Sequence, residues 1–373
     1  MIRDYLLDIA KIIEGANNSD LQKVSSYSNQ LIERLEGNGE KEAAQRIRRA
    51  IKNSKAHTLG LSKALGQTPL PVDGESRLPV ADEAKIDAGS IDLFLSDEND
   101  RITKQFVTFF RAANKLVANG VGISPSMLVY GPPGCGKTQL ARFIAGELEL
   151  PLITARMDSL ISSYLGSTAK NLRQLFDHAS SRPCVLFLDE FDALAKMRDD
   201  SRELGELKRV VISLLQNIDA LGPDHVLLAA TNHDHLLDPA IWRRFQYKMR
   251  LMEPDEQARA RMWRSFLSDF ASSEIVDLAA EISEGMTGAQ IRQVASDCIR
   301  AAVLENQSVV KLSNVVRVIL AANPKIAQTL PDDEVGLWKA LRSLDRRKFT
   351  QSRLAQIFGV SQPWMSKKLR GDS

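Results

Sequence analysis

The chain has 373 residues, 44% of them hydrophobic and 26% charged, with 49 Lys and Arg against 47 Asp and Glu and a formal net charge of +2. That length exceeds what one hydrophobic core ordinarily supports, so two or three domains are expected, and near-neutrality excludes a uniformly basic or acidic polymer, leaving room only for a local nucleic-acid surface. No stretch approaches the roughly 20 apolar residues that span a bilayer, and Cys135, Cys184 and Cys298 lack the spacing of a zinc site or disulfide framework, which points to a soluble chain in a reducing cytoplasm.

The first residues, "MIRDYLLDIAKII", interrupt their apolar positions with Arg3, Asp4, Asp8 and Lys11, which suits an amphipathic helix and not the unbroken core of a signal peptide. Apolar residues at three- and four-residue spacing (Ile9, Ile12, Ile13; Leu31, Ile32, Leu35; Ile47, Ile51) predict a helical N-terminal domain over 1–65. Residues 66–90 are rich in Pro, Gly and charge without either period and read as a linker. From 91 to 253, apolar runs at "SMLVY" (126–130), "PLITA" (151–155), "CVLFLD" (184–189) and "HVLLAAT" (225–231) alternate with amphipathic segments long enough for crossover helices. The pattern predicts an α/β fold, a doubly wound parallel sheet covered on both faces. Residues 254–323 turn wholly helical, and 333–373 form a further helical unit.

"GPPGCGKTQL" (131–140) follows the first of these runs and opens a helix, matching the glycine-rich phosphate-binding loop in the strand–loop–helix context it requires. Gly131, Gly134 and Gly136 allow successive N–H groups to curl round a phosphate, with Pro132, Pro133, Cys135 and Gln139 completing the loop. Lys137 would neutralise the β and γ phosphates of ATP, and Thr138 would offer a hydroxyl to Mg²⁺. In "VLFLDEFDAL" (185–194) an apolar strand ends in two acids, a costly arrangement unless they have a task. Asp189 would complete the magnesium shell and Glu190 would polarise the attacking water, while Asp192 fits a helix cap. Arg243 and Arg244 stand side by side in "DPAIWRRFQY" with no acid nearby in sequence.

On these motifs, residues from about 91 to 323 resemble an AAA ATPase module of the P-loop AAA+ class, with an all-helical lid after the sheet. "GPPGCGKT" and "VLFLDEFDALA" resemble its Walker A and Walker B motifs, with Cys135 where Thr or Ser is commoner. The resemblance implies that Asn232 is the sensor 1 residue that helps to place the water, and that Gly288 and Ala289 in "MTGAQI" face the nucleotide in a lid without a sensor 2 arginine. It implies a ring, expected to be a hexamer, in which Arg243 and Arg244, in the "WRRF" form most like the spastin and katanin group, act as arginine fingers in a neighbour's ATP site. It also implies a first pore loop in "SSYLGSTAKNLRQLF" (162–176), where Tyr164 and Leu165 would grip a protein client. "LLQNIDAL" (214–221) resembles the segment that carries nucleotide state between subunits, keeping Asp219 but not the Gly and Phe that usually follow.

"QSRLAQIFGVSQPWMSKKLR" (351–370) follows a helix-turn-helix pattern, with Ala355 at the crossing, Gly359 in the turn, Ser361 as N-cap, and Leu354, Phe358, Val360, Met365 and Leu369 as core. Basic residues surround it, and its resemblance to bacterial DNA-binding units implies that Gln362, Lys367 and Lys368 meet duplex DNA. The same trihelical pattern also serves protein docking or oligomer assembly.

Two functional readings follow. One is an ATP-driven ring that remodels or threads a protein, a protease encoded nearby being a conceivable client or partner although no residue shows it. The other is a DNA-bound regulatory ATPase that controls a partner without threading.

Overall fold

The computed structural model describes residues 5–17, 21–54, 70–73, 76–161, 165–193, 204–322 and 333–370. The chain divides into two compact units, one drawn from residues 1–93, 97–131 and 137–251, the other from 94–96, 132–136 and 252–373.

In the first unit, α1 (Leu6–Asn17), α2 (Leu21–Gly37) and α3 (Lys41–Ser54) form the N-terminal hairpins. Leu31, Ile32 and Leu35 of α2 pack with Tyr5 and Ala44 in a small core of their own. Ile9 and Ile13, expected inside, lie exposed. The buried side of α1 mixes Leu7 and Gly15 with a charge: Asp8 accepts from Arg34 at 3.0 Å. Tyr27 of α2 is fully buried and donates its hydroxyl to Asp224, which also lies 3.8 Å from the Lys11 ammonium. These helices are therefore fastened by buried polar contacts to the turn after residue 220, which periodicity alone could not reveal.

Six strands form one sheet: β1 (Ala81–Ala84), β2 (Ser126–Tyr130), β3 (Leu152–Ala155), β4 (Val185–Leu188), β5 (Val226–Thr231) and β6 (Tyr247–Arg250), in the order β1-β3-β4-β5-β2-β6. Only β1 runs antiparallel to its neighbour. Every residue of β4 and β5 is buried, the consequence of helices covering both faces of a parallel sheet. Those helices include α4 (Asp97–Arg111), α5 (Lys137–Glu147), α6 (Leu165–Ser180) and α7 (Leu204–Ala220). The linker expected over 66–90 needs correction. Leu70 packs on the sheet core, Val72 bridges Pro79, and fully buried Val80 and Ala81 lead into edge strand β1. Four residues with only one face buried leave too short an apolar run to outweigh the surrounding charge.

The second unit contains α8 (Glu256–Leu267), α9 (Ser273–Ile282), α10 (Gly288–Leu304), α11 (Leu312–Ala322), α12 (Glu334–Leu344), α13 (Gln351–Ile357) and α14 (Gln362–Arg370). Trp338, Leu341, Phe349, Leu354, Ala355 and Met365 of the tail lie in one apolar cluster with Trp263, Val294 and Val316 of the preceding helices. The tail thus shares its core with the lid and is not a separate lobe. Arg353, one of its basic residues, grips Glu281 on α9 with two bonds of 2.8 and 2.6 Å and lies over the Phe349 ring. Gly359 adopts a φ of +65° in the turn between α13 and α14, and Ser361 opens α14 by accepting from Met365 N–H. Among the described residues, no helix is long and apolar enough to cross a membrane.

Burial pushes the Asp8 carboxyl up to about 6, against the lowering pull of Arg34. Between about pH 4 and pH 6 the folded form therefore holds a proton that the unfolded chain has released, so the Asp8 contribution to stability rises as pH falls through that window. Compared with Asp8→Asn, the wild type is expected to gain thermal stability on going from pH 7 to pH 5. Identical pH responses of the two proteins in melting curves would contradict this.

Candidate nucleotide-binding and hydrolysis site

The chain leaves β2 at Tyr130 and turns through residues 131–136 into α5. Gly131 has φ +139°, and a Cβ there would collide with the Leu251 carbonyl oxygen, so no other residue fits without moving the backbone after β6. Lys137, the first residue of α5, is 7% exposed and folds back to donate its Nζ to the Gly131 carbonyl at 2.8 Å. Its ammonium is thereby held over the loop where a phosphate would lie. Gly134 (φ +78°) accepts through its carbonyl from Ala289 N–H at 3.1 Å, and a Cβ on it would press on Thr287 Oγ1 and the Ala289 side chain. Gly288 opens α10 beside these, behind a capping box in which Thr287 and Gln290 satisfy each other's backbone N–H groups.

Thr138 donates its hydroxyl to Asp189 Oδ2 at 2.9 Å. The two residues expected at a magnesium ion, 51 positions apart, are thus neighbours. Next to Asp189, Glu190 is exposed and has φ +49°. A non-glycine residue rarely takes this left-handed conformation, and it persists because its neighbours are pinned. Glu190 N–H donates to Asp189 Oδ1 at 2.9 Å, and Phe191 N–H to the Ala230 carbonyl at 2.8 Å. The backbone cost fits a residue whose side chain must project from the sheet's edge and not pack beneath it.

Asp192, expected to cap a helix, is tied into the sheet. It is 5% exposed, and its Oδ1 accepts from the buried Thr231 hydroxyl at 2.9 Å, tying the turn after β4 to the end of β5. Asn232 follows Thr231 and is half-buried.

Arg243 and Arg244 follow a helical turn at Pro239–Trp242 that Asp238 caps through Ala240 N–H. Arg243 is exposed. Arg244, read as unneutralised, is paired: Nε and Nη2 donate to the two carboxylate oxygens of Asp219 at 2.8 and 3.0 Å. The acid is 25 positions earlier, on α7, and only the fold brings it alongside. Both partners are substantially exposed, so the pair is screened by water and contributes little to stability. Tyr164 lies outside the described residues. Leu165 opens α6.

A mostly parallel sheet whose second strand feeds a glycine loop and helix, with an acid-tipped strand one place removed across β5, defines a P-loop nucleoside triphosphatase. Residues 127–252 match the ATPase family associated with various cellular activities, AAA. Over 286 residues the chain is 37% identical to an uncharacterized AAA family ATPase of Sinorhizobium fredii, covering 77% of this chain and 86% of that one. It is 33% identical over 210 residues to the proteasome-activating nucleotidase of Methanopyrus kandleri, covering 53% and 48% of the two chains. Identity is 30% over 250 residues with the ATP-dependent zinc metalloprotease FtsH of Caldicellulosiruptor bescii, covering 65% and 41%. The chain spans less than half the length of these last two relatives. It belongs to the AAA ATPase family, and it binds and hydrolyses ATP.

Of the three cysteines, Cys184 and Cys298 are buried, and burial pushes their thiols up to about 12 and about 11. Cys135, in the phosphate loop, is half-buried. Brief iodoacetamide treatment of the native protein is expected to modify Cys135 and neither of the others, more slowly when ATP is present. Peptide mass mapping checks this, and equal labelling of the three would contradict the burial pattern.

Proposed function

We propose that the chain is a magnesium-dependent AAA motor that assembles into a ring and uses ATP hydrolysis to remodel or thread a protein client. The observation that carries the chemistry is the convergence of Thr138, Asp189 and the strained Glu190 beside a loop over which Lys137 is folded. A hydroxyl and a carboxylate are the hard oxygen donors that magnesium takes, and a bound ion would supply positive charge against the phosphates. Loop N–H groups and Lys137 hold the β and γ phosphates. Glu190 accepts a proton from the attacking water, with Asn232 orienting that water, and the products are ADP and inorganic phosphate. Within the second unit, Gly288 and Ala289 at the start of α10 lie beside Gly134 of the phosphate loop, where the family resemblance puts nucleotide-facing residues.

The ring rests on the exposed arginines. Arg243 is presented to solvent at the end of a capped turn, and Arg244 is held by a surface carboxylate that a neighbour's γ-phosphate can outcompete. Action on a protein is supported by the names of two relatives, a proteasome-activating nucleotidase and an ATP-dependent metalloprotease, and by the sequence resemblance at Tyr164 and Leu165.

A second reading, a DNA-bound regulatory ATPase, is favoured by the tail, where Gln362, Lys367 and Arg370 are exposed on α14 and Lys368 is half-buried beside them. Arg353 does not join that surface, because Glu281 holds it.

Lys137→Ala is expected to abolish ATP binding, whereas Glu190→Gln binds ATP and does not turn it over. Undiminished phosphate release by Glu190→Gln would remove Glu190 from the chemistry. An Arg243→Ala/Arg244→Ala protein is expected to bind ATP but hydrolyse it poorly, and to recover activity when mixed with Glu190→Gln. No recovery between subunits that demonstrably exchange would contradict fingers acting across the ring. If Lys367 and Lys368 each touch a DNA phosphate, replacing both flattens the log-log salt slope of duplex binding by about 2, and absence of any duplex binding at low salt overturns the second reading.

A further inference from the structure

Thr231, at the end of β5, is where the three motif segments of the first unit meet. Its carbonyl accepts from Gly131 N–H at 3.3 Å, the first residue of the phosphate loop. Its hydroxyl donates to Asp192 Oδ1 at 2.9 Å, on the turn that carries Asp189 and Glu190, and accepts from His233 N–H at 2.9 Å, across the turn that carries Asn232. Thr231 is 1% exposed and Asp192 5%. Such a bond is little screened by water, so its loss is felt in the backbone it ties together.

The geometry explains what would otherwise be two unrelated oddities. Glu190 holds a left-handed backbone one residue before Phe191, whose N–H is bound to Ala230, and two residues before Asp192, which is bound to Thr231. The two backbone-to-backbone and side-chain ties are therefore consecutive rungs between the turn after β4 and the end of β5. Asn232 in its turn lies between Thr231 and His233, the two residues joined by the threonine hydroxyl. Buried bonds thus hold the backbone beside Glu190 and on both sides of Asn232.

We infer that Thr231 and Asp192 are positioning residues for ATP hydrolysis, a buried strut that sets the separation of Glu190 from Asn232 and registers both against the phosphate loop. The inference rests on the proposed roles of Glu190 and Asn232. The strut acts through those residues, touches neither nucleotide nor water, and works by geometry, so the charge of Asp192 is not what matters. A displacement of about 1 Å at a reacting group costs on the order of 100-fold in rate while leaving remote binding contacts untouched.

The test uses the full chain, with steady-state phosphate release for kcat and KM, a fluorescent ATP analogue for affinity, and thermal melting as a fold control. Thr231→Val, close in shape but without the hydroxyl, is expected to lower kcat by roughly 10- to 100-fold with ATP affinity within about threefold of wild type. Thr231→Ser restores the hydroxyl and is expected to keep kcat within about threefold, and Asp192→Asn, which keeps an acceptor oxygen, within about fivefold. Unchanged kcat in folded Thr231→Val overturns the strut, as does a loss in that variant that tracks ATP affinity. Should Thr231→Val not fold, the other two decide: loss of turnover with intact binding in Asp192→Asn would make the carboxylate charge essential and overturn a positioning role, and such a loss in Thr231→Ser would do so as well. Retention of turnover by both, with the melting temperature of each near that of the wild type, supports it. Glu190→Gln, run alongside, separates this inference from the reading beneath it. Active Glu190→Gln sinks the assignment of Glu190, whereas inactive Glu190→Gln with fully active Thr231→Val sinks the strut alone.

Discussion

Parallel pairing of β2 with β5, and of β5 with β4, is the constraint on which the rest of the molecule depends. Tyr130 lies opposite Thr231, and Leu188 opposite Ala229, so three strands end at one edge within a residue or two of each other. The phosphate loop, the acidic pair and Asn232 all begin where those strands stop. Each strand is buried on both faces, and a slip of one residue would exchange the faces of its side chains and move a whole motif along the edge. The register that packs the core is thus the same register that assembles the site.

The N-terminal helices and the tail are each bound into their own unit more tightly than their composition suggests. The N-terminal helices are joined to one another by the Asp8–Arg34 pair and dock through Tyr27 and Lys11 onto Asp224, and buried polar contacts of this kind select one geometry where apolar ones tolerate several. The tail buries Trp338 and Met365 in the core of the lid and adds the Arg353–Glu281 fork. Whatever the basic face of α14 meets, its load passes directly to α9 and to the lid core.

Much of this was legible in the sequence, for reasons that differ by element. The central strands announce themselves because burial on both faces demands unbroken apolar runs, and the phosphate loop because few residues other than Gly tolerate its backbone. Edge strands β1 and β6 escaped notice, since four residues with one face exposed, as in "ADEA" and "YKMR", carry no run. Long-range polar pairs escaped too. Nothing near Arg244 in sequence points to Asp219, and nothing near Asp192 points to Thr231, because the pairing is made by the strand order and not by local spacing. A positive φ at Glu190 is likewise invisible in a residue type that ordinarily avoids it. The signal that could have exposed Thr231 was its place, a hydroxyl residue closing a six-residue apolar strand immediately before Asn232.

The central claim is that the loop from Gly131 to Thr138, Asp189 and Glu190 form one phosphate-binding and hydrolysing site, completed by arginine from a second copy of the chain. A structure of the full chain assembled with magnesium, ADP and a γ-phosphate mimic such as beryllium fluoride tests it most directly. The account predicts the phosphates wrapped by the loop and touched by Lys137, a metal ion taking Thr138 Oγ1 with Asp189 in its shell, and Arg243 of an adjoining copy against the fluoride. Nucleotide bound away from the loop, or a filled site that no arginine of an adjoining copy reaches and with Arg244 still on Asp219, would contradict it.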